Sequence, residues 1–393
     1  MRWLLALGLA ACANPPIPAG TSWPTRDIPS WAAETRFAVT VNLSDVVAFV
    51  GTDPAHATHF GDEPVGDVPV ELEGPHHIAA SPDKNFLYVN LSNYVPGTGS
   101  GPHGSHGTGT VPGSLLKLDA RNAALVAEVL VDRNPGDVVV SRDGSRAYVS
   151  HYDLLRLQNQ LTVGDPPESG WSGIAVVDTD KMTRLALPMV CPTAHGLGLS
   201  PDGKTLYVTC SLSDELAIVD VSTDQPKVLA KLPVGPSPGP LGNPVYMPYA
   251  LTVAPDGNVW VSDNGSGDVR VYSPTLGAMD PAKVYPVGGV AMFGAFTDGG
   301  NTYWVPHQGD DKVTRIDAAT GQMAVIALPK DGCLNAHALV PTPDEKAAVV
   351  ICEGDHRLIP GTALFLDLGA SSVGGSVPIG IFPDGAAWLP PAK

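Results

Sequence analysis

The sequence predicts an all-β protein, a seven-bladed β-propeller of four-stranded antiparallel blades whose N-terminal strands close the last blade. Three observations support this prediction. Gly and Pro contribute 43 and 39 of the 393 residues while charged residues make up only 16%, a composition that suits short strands and tight turns better than long helices. A turn motif recurs along the chain at a spacing close to that of a propeller blade. Strand-like segments also precede the first copy of that motif.

The recurring turn is centred on an aspartate. Proline fixes φ at the first corner, the aspartate side chain accepts hydrogen bonds from the turn backbone, and glycine accepts the left-handed position. Successive turn aspartates are 60, 59, 54, 42, 46 and 40 residues apart, so the basic unit is about 40 residues and the early copies carry insertions. The seven copies are Ser81-Pro82-Asp83, Ser141-Arg142-Asp143-Gly144, Ser200-Pro201-Asp202-Gly203, Ala254-Pro255-Asp256-Gly257, Thr297-Asp298-Gly299, Thr342-Pro343-Asp344 and Phe382-Pro383-Asp384-Gly385.

Four strands can be assigned to each unit. A small apolar run precedes the turn, as at residues 197–199, and an aromatic or β-branched strand follows it, as at 206–208. A third strand ends in aspartate, as at 216–220, and a Val- and Pro-rich segment leads to the next copy. We therefore predict that each turn joins the inner strand of a blade to its second strand.

Ring closure follows from the two ends of the chain. The chain stops after the predicted second strand of copy seven, while residues 36–50 and 65–72 contain strand-like sequence with no turn motif of their own. We expect these N-terminal strands to complete the last blade and to leave no open sheet edge.

The segment Ser200-Pro201-Asp202-Gly203-Lys204-Thr205-Leu206-Tyr207-Val208-Thr209 closely resembles the repeat of the YVTN-repeat, or lactonase-like, seven-bladed propellers. The resemblance covers about residues 36 to 390. It implies the fold strongly and the function weakly, because that family includes binding proteins, lactonases, lyases and redox proteins.

The N-terminus is typical of an exported protein. Arg2 precedes an apolar run over residues 3–11, and Leu9-Ala10-Ala11-Cys12 resembles a bacterial lipobox, in which Cys12 would be acylated. The alternative is an ordinary signal peptide that happens to contain a cysteine. We assign residues 1–11 to a lipoprotein signal peptide, 12–34 to a Pro-rich tether and 35–393 to the propeller.

This assignment predicts a lipid-anchored protein on the periplasmic or cell-surface face of the outer membrane, in contact with the membrane only through its anchor. The formal net charge of −17 argues against nucleic-acid binding and favours cationic partners, such as a metal ion or a basic redox protein. We expect a monomer.

Four cysteines remain after Cys12. Cys191 and Cys210 are 19 residues apart, as are Cys333 and Cys352, and in each pair the first enters an inner strand while the second leaves its neighbour. Adjacent strand ends lie within disulfide range, and an exported protein folds in an oxidising compartment. We predict two disulfides within these pairs; the alternative is a pair of Cys-Cys-His metal sites.

Histidines concentrate at one mouth of the predicted channel. His76, His195 and His337 each stand five residues before the first residue of a turn motif, with His77 beside the first of them. His151 and His307 share the matched position after a second strand. Imidazole is a common ligand of copper and zinc, and the ring of inward histidines resembles in arrangement the copper-binding propeller of nitrous oxide reductases, although this chain lacks their Cys-rich copper domain.

Three functions fit this pattern. The first is a binding protein whose histidine-bearing face holds a metal ion, copper or zinc, a small ligand or a partner protein; without a metal it would have no cofactor. The second is a metal-assisted lactonase or lyase in which His195 and His337 position or deprotonate the substrate, with Asp263, Asp310 or Glu353 as further ligands. The third is a redox protein with copper at His76, His195 and His337.

Overall fold

The computed structural model describes residues 26–66, 73–92 and 111–392, and within these ranges seven antiparallel sheets surround a central channel. The N-terminal strands are β1 (Arg36–Val41), β2 (Val46–Gly51) and β3 (His59–Pro64). Blade one contains β4 (Pro75–Ala80), β5 (Phe86–Leu91), β6 (Ser114–Asp119) and β7 (Leu125–Leu130). Blade two contains β8 (Pro135–Val140), β9 (Arg146–His151), helix α1 (Leu154–Val163), β10 (Ser172–Asp178), β11 (Thr183–Ala186) and the short β12 (Met189–Cys191).

The remaining blades follow in chain order. Blade three contains β13 (Ala194–Leu199), β14 (Thr205–Cys210), β15 (Glu215–Asp220) and β16 (Lys227–Pro233). Blade four contains β17 (Pro248–Val253), β18 (Val259–Asp263), β19 (Asp268–Ser273) and β20 (Ala278–Pro286). Blade five contains β21 (Val290–Ala291), β22 (Ala295–Thr297), β23 (Thr302–Gln308), β24 (Lys312–Asp317) and β25 (Met323–Ala327). Blade six contains β26 (Ala336–Pro341), β27 (Ala347–Cys352), β28 (Gly361–Asp367) and β29 (Ser372–Gly380), and β30 (Pro383–Leu389) ends the chain.

The short helices lie in the connections. Besides α1, single 3₁₀ turns cover Ser30–Ala33, Asn42–Ser44, Pro167–Gly170, Ser211–Ser213 and Asp298–Gly300. Helix α1 is capped at its N-terminus by Asp153, whose side chain accepts a hydrogen bond from the backbone N–H of Arg156, and at its C-terminus by Gly164 in the left-handed conformation. No helix in the described ranges is long and apolar enough to cross a bilayer.

The aspartate-centred turn joins the first two strands of a blade in six of the seven copies. In five of them the aspartate carboxylate accepts the N–H of the residue two positions later, as predicted. In the Thr297 copy Asp298 itself has a positive φ of +54°, and its N–H donates to Glu345. In blade three, the hydroxyl of Ser200 donates to Asp202 (2.6 Å) and the N–H of Lys204 donates to the same carboxylate (3.1 Å). The N–H of Thr205 donates to the Ser200 hydroxyl (3.0 Å), and Gly203 has a φ of +71°. The turn of blade three therefore satisfies its own backbone donors and fixes the pairing of the two strands.

The seventh copy is different, and its prediction as a hairpin turn is wrong. Strand β30 begins at Pro383 and is the innermost strand of blade seven, in the order β3-β2-β1-β30. The inner and second strands of this blade come from opposite ends of the chain, so no turn connects them. The C-terminus contributes one strand rather than two, and the third N-terminal strand is β3. Residues 67–72, the end of the predicted strand segment, lie outside the described residues.

Arg36 strengthens this closure. Strands β1 and β30 pair antiparallel from Arg36 opposite Leu389. The buried Arg36 guanidinium donates to the carbonyl oxygens of Ala32 (2.9 Å), Pro390 (3.0 Å) and Ala120 (2.7 Å). One side chain thereby joins the N-terminal segment, the C-terminus and blade one.

The described end of the segment predicted as a tether lies against the propeller. Trp31 in this segment stacks on Phe49 of blade seven, with 4.4 Å between ring centroids.

The hydrophobic core lies between neighbouring blades. Between blades one and two, for example, Tyr88 and Leu115 form one buried cluster with Val149 and Ala175. Strands buried on both faces carry apolar residues in succession, which explains the Val- and Leu-rich runs in the sequence. Apolar interfaces of this kind fix the angle between blades and hence the positions of the inner strands that line the channel.

Both predicted disulfides are present. Cys191 is bonded to Cys210 and Cys333 to Cys352, with Cα atoms 5.8 and 5.2 Å apart. Each bridge joins a cysteine three residues before an inner strand to the last residue of the adjacent second strand, and Cys191 is also the last residue of β12. The sulfur atoms are bonded to each other, so the alternative of two Cys-Cys-His metal sites is wrong. Two buried disulfides are typical of an exported protein.

A candidate metal centre in the central channel

Four histidines meet in the channel. His76 and His77 lie near the start of β4, His195 near the start of β13 and His337 near the start of β26. Ring centroids are 4.6 Å apart for His76 and His77, 5.6 Å for His77 and His195, and 6.0 Å for His77 and His337. All four are buried, with exposed fractions from 0 to 6%. The shared position predicted for His76, His195 and His337 therefore brings side chains from three different blades together.

The cluster contains two overlapping groups with the spacing of metal ligands. In the first group, one ligand atom from each of His76, His77 and His195 lies within 4.8 Å of the other two. In the second group, the same holds for His77, His337 and Asp384. His77 belongs to both groups. Imidazole nitrogen and carboxylate oxygen are ligands that zinc and copper accept, so either group could hold such an ion.

Asp384 was missed as a site residue. It is fully buried, contacts Nδ1 of His76, and lies 2.9 Å from Nε2 of His337 and 3.6 Å from Nε2 of His77. The sequence around Asp384 fits the turn motif. However, Pro383-Asp384 also aligns with Pro75-His76 and Pro248-Tyr249, in which a proline begins an inner strand and the next residue enters the channel site. That second alignment was the signal that could have identified it.

His337 lies between two buried carboxylates. Nδ1 contacts Glu353, Nε2 contacts Asp384, and the other oxygen of Glu353 lies 2.6 Å from Nε2 of His356. Burial alone would lower the pKa of His337, but Asp384 and Glu353 outweigh it and raise that pKa to about 10. Burial likewise opposes ionisation of Asp384, yet His76 and His337 hold its pKa well below the usual range. Glu353, which the sequence suggested as a ligand, thus lies beside the cluster.

His195 has a different environment. It stacks on Tyr249 with 4.0 Å between ring centroids, and its Nδ1 lies 3.2 Å from the Tyr249 carbonyl oxygen. Burial is the main cause that lowers the pKa of His195 well below the usual value, and the neighbouring His77 and His76 lower it further. The imidazole is therefore neutral and able to bind a metal. Gly136 makes room for the ring, because a Cβ there would lie 3.0 Å from Cδ2 of His195.

The structure does not bring His151 and His307 into the cluster. Nδ1 of His151 lies 2.8 Å from the Gly173 carbonyl, and its Nε2 accepts the N–H of Asp132 (2.9 Å). His307 contacts Asp310 through Nδ1 (2.7 Å) and the Thr314 hydroxyl through Nε2 (2.9 Å). Protein groups therefore engage both ring nitrogens of each, and these contacts fix the ends of β9 and β23.

Two of the three carboxylates suggested as further ligands also lie elsewhere. Asp310 pairs with His307 and with Lys312 (2.9 Å), and Asp263 lies 3.3 Å from Arg270. Only Glu353 contacts the cluster. Local sequence spacing could not separate these cases, because Asp263 and His307 occupy matched positions at the ends of β18 and β23, where each finds partners outside the cluster.

The cluster is acidic apart from its imidazoles. Within the described residues, the ion pairs recorded for His76, His77 and His337 are all with carboxylates, namely Asp384, Asp137 and Glu353. The ionised carboxylates of Asp384 and Glu353 beside the neutral His195 imidazole attract a cation and repel an anion.

Comparisons with known proteins bear on the fold. Residues 114–293, somewhat under half of the chain, match the family model described as SMP-30/Gluconolactonase/LRE-like region. The periplasmic gluconolactonase of Pseudomonas aeruginosa superposes with a TM-score of 0.67 at 16% identity, covering 91% of this chain and 99% of that one. The fold is that of the lactonase-type seven-bladed propellers.

Other solved structures are similar to this chain to a comparable extent. A protein from Lactobacillus plantarum gives a TM-score of 0.67 at 15% identity, covering 91% of this chain and 99% of its own. The hydrazine synthase of Kuenenia stuttgartiensis gives 0.59 at 20% identity, covering 82% and 92%. No curated protein matches the sequence. At these identities the likeness concerns the fold, so function has to be argued from the site.

Proposed function

We propose that this protein binds a single transition-metal ion, zinc or copper, at the histidine cluster of the central channel. The observation that carries the proposal is the convergence of His76, His77, His195, His337 and Asp384 from four blades in two overlapping groups of ligand spacing. The first group offers three imidazoles and the second offers two imidazoles with one carboxylate. Both sets suit these ions better than calcium or magnesium, which prefer oxygen ligands.

The surroundings support a metal over a purely structural role. Burying several imidazoles together is costly unless each finds a partner. Here three of the rings have a partner at Nδ1. Asp137 contacts His77, Glu353 contacts His337, and the Tyr249 carbonyl contacts His195. Such contacts to the second ring nitrogen are characteristic of metal-ligating histidines.

A second candidate function is metal-assisted hydrolysis of a lactone, and the match of residues 114–293 to the gluconolactonase-type model favours it. A bound metal would polarise the carbonyl group of the substrate. His337, held between Asp384 and Glu353, would donate or accept a proton at Nε2. The carboxylates around the cluster would repel a phosphate group, so a neutral lactone is the better substrate class.

Metal analysis of the purified soluble domain tests the proposal. Protein stripped with a chelator and reloaded with zinc or copper should retain about one ion per chain after desalting, and His77→Ala, which removes the residue common to both ligand groups, should retain much less. The matched control is His56→Ala, since this histidine is exposed and pairs with Asp53. No retained metal in the wild-type protein would refute the proposal.

Turnover separates the two functions. Hydrolysis of a neutral lactone by the loaded protein, lost in His337→Gln, would support the enzyme. Retained metal without hydrolysis would support a binding protein or, with copper that cycles between oxidation states, a redox protein that meets a cationic partner.

We further propose that Cys12 is lipidated and anchors an exported monomer to the outer membrane through the Pro-rich segment. Cys12 lies outside the described residues, so this proposal rests on the lipobox and on the disulfides. Replacement by Cys12→Ser should release the protein from the membrane fraction; unchanged fractionation would refute the anchor.

A further inference from the structure

We infer that Asp137 is the positioning residue of the proposed metal site, because it fixes which nitrogen of His77 faces the channel centre. This inference rests on the proposed function and deepens it. His77 is the one residue common to both candidate ligand groups. Whichever group binds the ion, the orientation of the His77 ring decides whether the site forms.

Asp137 contacts His77 on the side away from the centre. Its Oδ1 lies 3.0 Å from Nδ1 of His77, while Nε2 of the same ring points to Asp384, with 3.6 Å between Nε2 and Oδ1. A carboxylate oxygen has no hydrogen to donate, so this contact places a proton on Nδ1. Nε2 is then the nitrogen that can bind a metal.

Asp137 is itself held from three blades. Its backbone N–H donates to the Ser150 hydroxyl (2.8 Å) within blade two, its Oδ2 accepts the N–H of Leu197 (2.9 Å) in blade three, and its Oδ1 contacts His77 in blade one. The carboxylate is therefore fixed by the ring of blades rather than by a flexible loop. A rotation of the His77 ring by half a turn would lose this contact and direct Nδ1 to the centre instead.

The position of Asp137 in the strand explains why it can reach both neighbours. Gly136 occupies the register position where other inner strands carry His76, His195 or His337, and its missing side chain leaves room for the His195 ring. Asp137, one residue later, matches His77 in register. Blade two thus contributes no residue to either ligand group and supplies a carboxylate that orients a ligand from blade one.

The test compares Asp137→Asn with the wild-type protein and with Asp143→Asn, a control in the exposed turn at the other end of the same strand. Zinc affinity is measured by competition with a chromophoric chelator. We expect Asp137→Asn to bind zinc 10- to 100-fold more weakly, the usual effect of losing such a partner, and Asp143→Asn to bind as the wild type does.

A second measurement separates positioning from a general loss of structure. In the copper-loaded protein, electron spin echo modulation reports the non-coordinated nitrogen of each bound imidazole, whose signal depends on its hydrogen bond. Asp137→Asn should change one such signal while the thermal unfolding of the metal-free protein shows that the propeller is intact. If Asp137→Asn does not fold, Asp137→Glu, which retains the charge and displaces it, is measured in the same way.

The outcomes are distinct. Wild-type protein that binds no metal refutes the proposed function. Wild-type protein that binds metal, with equal affinity and an unchanged imidazole signal in the Asp137 variant, overturns the positioning role and leaves the metal site standing.

Discussion

Removing a disulfide should destabilise this propeller by an amount set by the length of the loop that it closes. The Cys191–Cys210 bridge joins residues 19 apart, and a cross-link over such a loop lowers the entropy of the unfolded chain by an amount equivalent to about 3 kcal/mol at 25 °C. We therefore expect Cys191→Ala/Cys210→Ala to lower the free energy of unfolding by about 3 kcal/mol. The second bridge closes a loop of the same length, so its removal should cost about the same.

Removing both bridges tests whether the two effects add. The bridges lie at blades three and six, which are not neighbours in the ring, so we expect their effects to add to about 6 kcal/mol. The assay is urea unfolding followed by tryptophan fluorescence, with and without a thiol reductant. The reductant should destabilise the wild-type protein and leave the variant without bridges unchanged. A loss below about 1 kcal/mol for each pair, or four free thiols in the denatured wild-type protein, would refute the reasoning.

Three further predictions follow from buried groups. Burial lowers the pKa of His151 to about 4 in the folded protein, below its unfolded value, so stability from this group is complete above pH 6.5 and is lost as the pH falls towards 4. The wild type should lose about 3 kcal/mol more than His151→Gln between pH 7 and pH 4, and parallel urea midpoints over that range would contradict this. Arg36→Met should cost about 3 kcal/mol or more, because several backbone carbonyls lose a buried donor; a change below about 1 kcal/mol in urea would contradict it. In Gly196→Ala the new Cβ would lie 2.7 Å from the Tyr249 carbonyl, so we expect a loss of about 1 to 3 kcal/mol and weaker metal binding; wild-type stability and affinity would contradict it.

The sequence predicted the fold in detail where local chemistry repeats. The Ser200 turn carries its own hydrogen-bond partners within six residues, so its letters alone determine its conformation. The same motif led to the wrong prediction of a hairpin turn at Asp384, because Pro-Asp-Gly can also begin an inner strand. Only the pairing of β30 with β1, a contact between the two chain ends, distinguishes these cases.

The site was predictable to the extent that blade register is regular. His76, His195 and His337 share a register position, and the sheet geometry brings them together. His151 and His307 share another, but each finds partners within its own blade or an adjacent loop. Asp137 could not be identified from the sequence, because its role depends on contacts with strands from two other blades.

The central claim is that a metal ion lies among the channel histidines, and anomalous diffraction tests it most directly. Crystals of zinc- or copper-loaded protein are measured on both sides of the metal absorption edge. We predict one strong anomalous peak in the channel, about 2.1 Å from Nε2 of His77, and its loss in His77→Ala. A loaded protein with no peak in the channel, or with peaks only at surface histidines such as His56, would contradict the account.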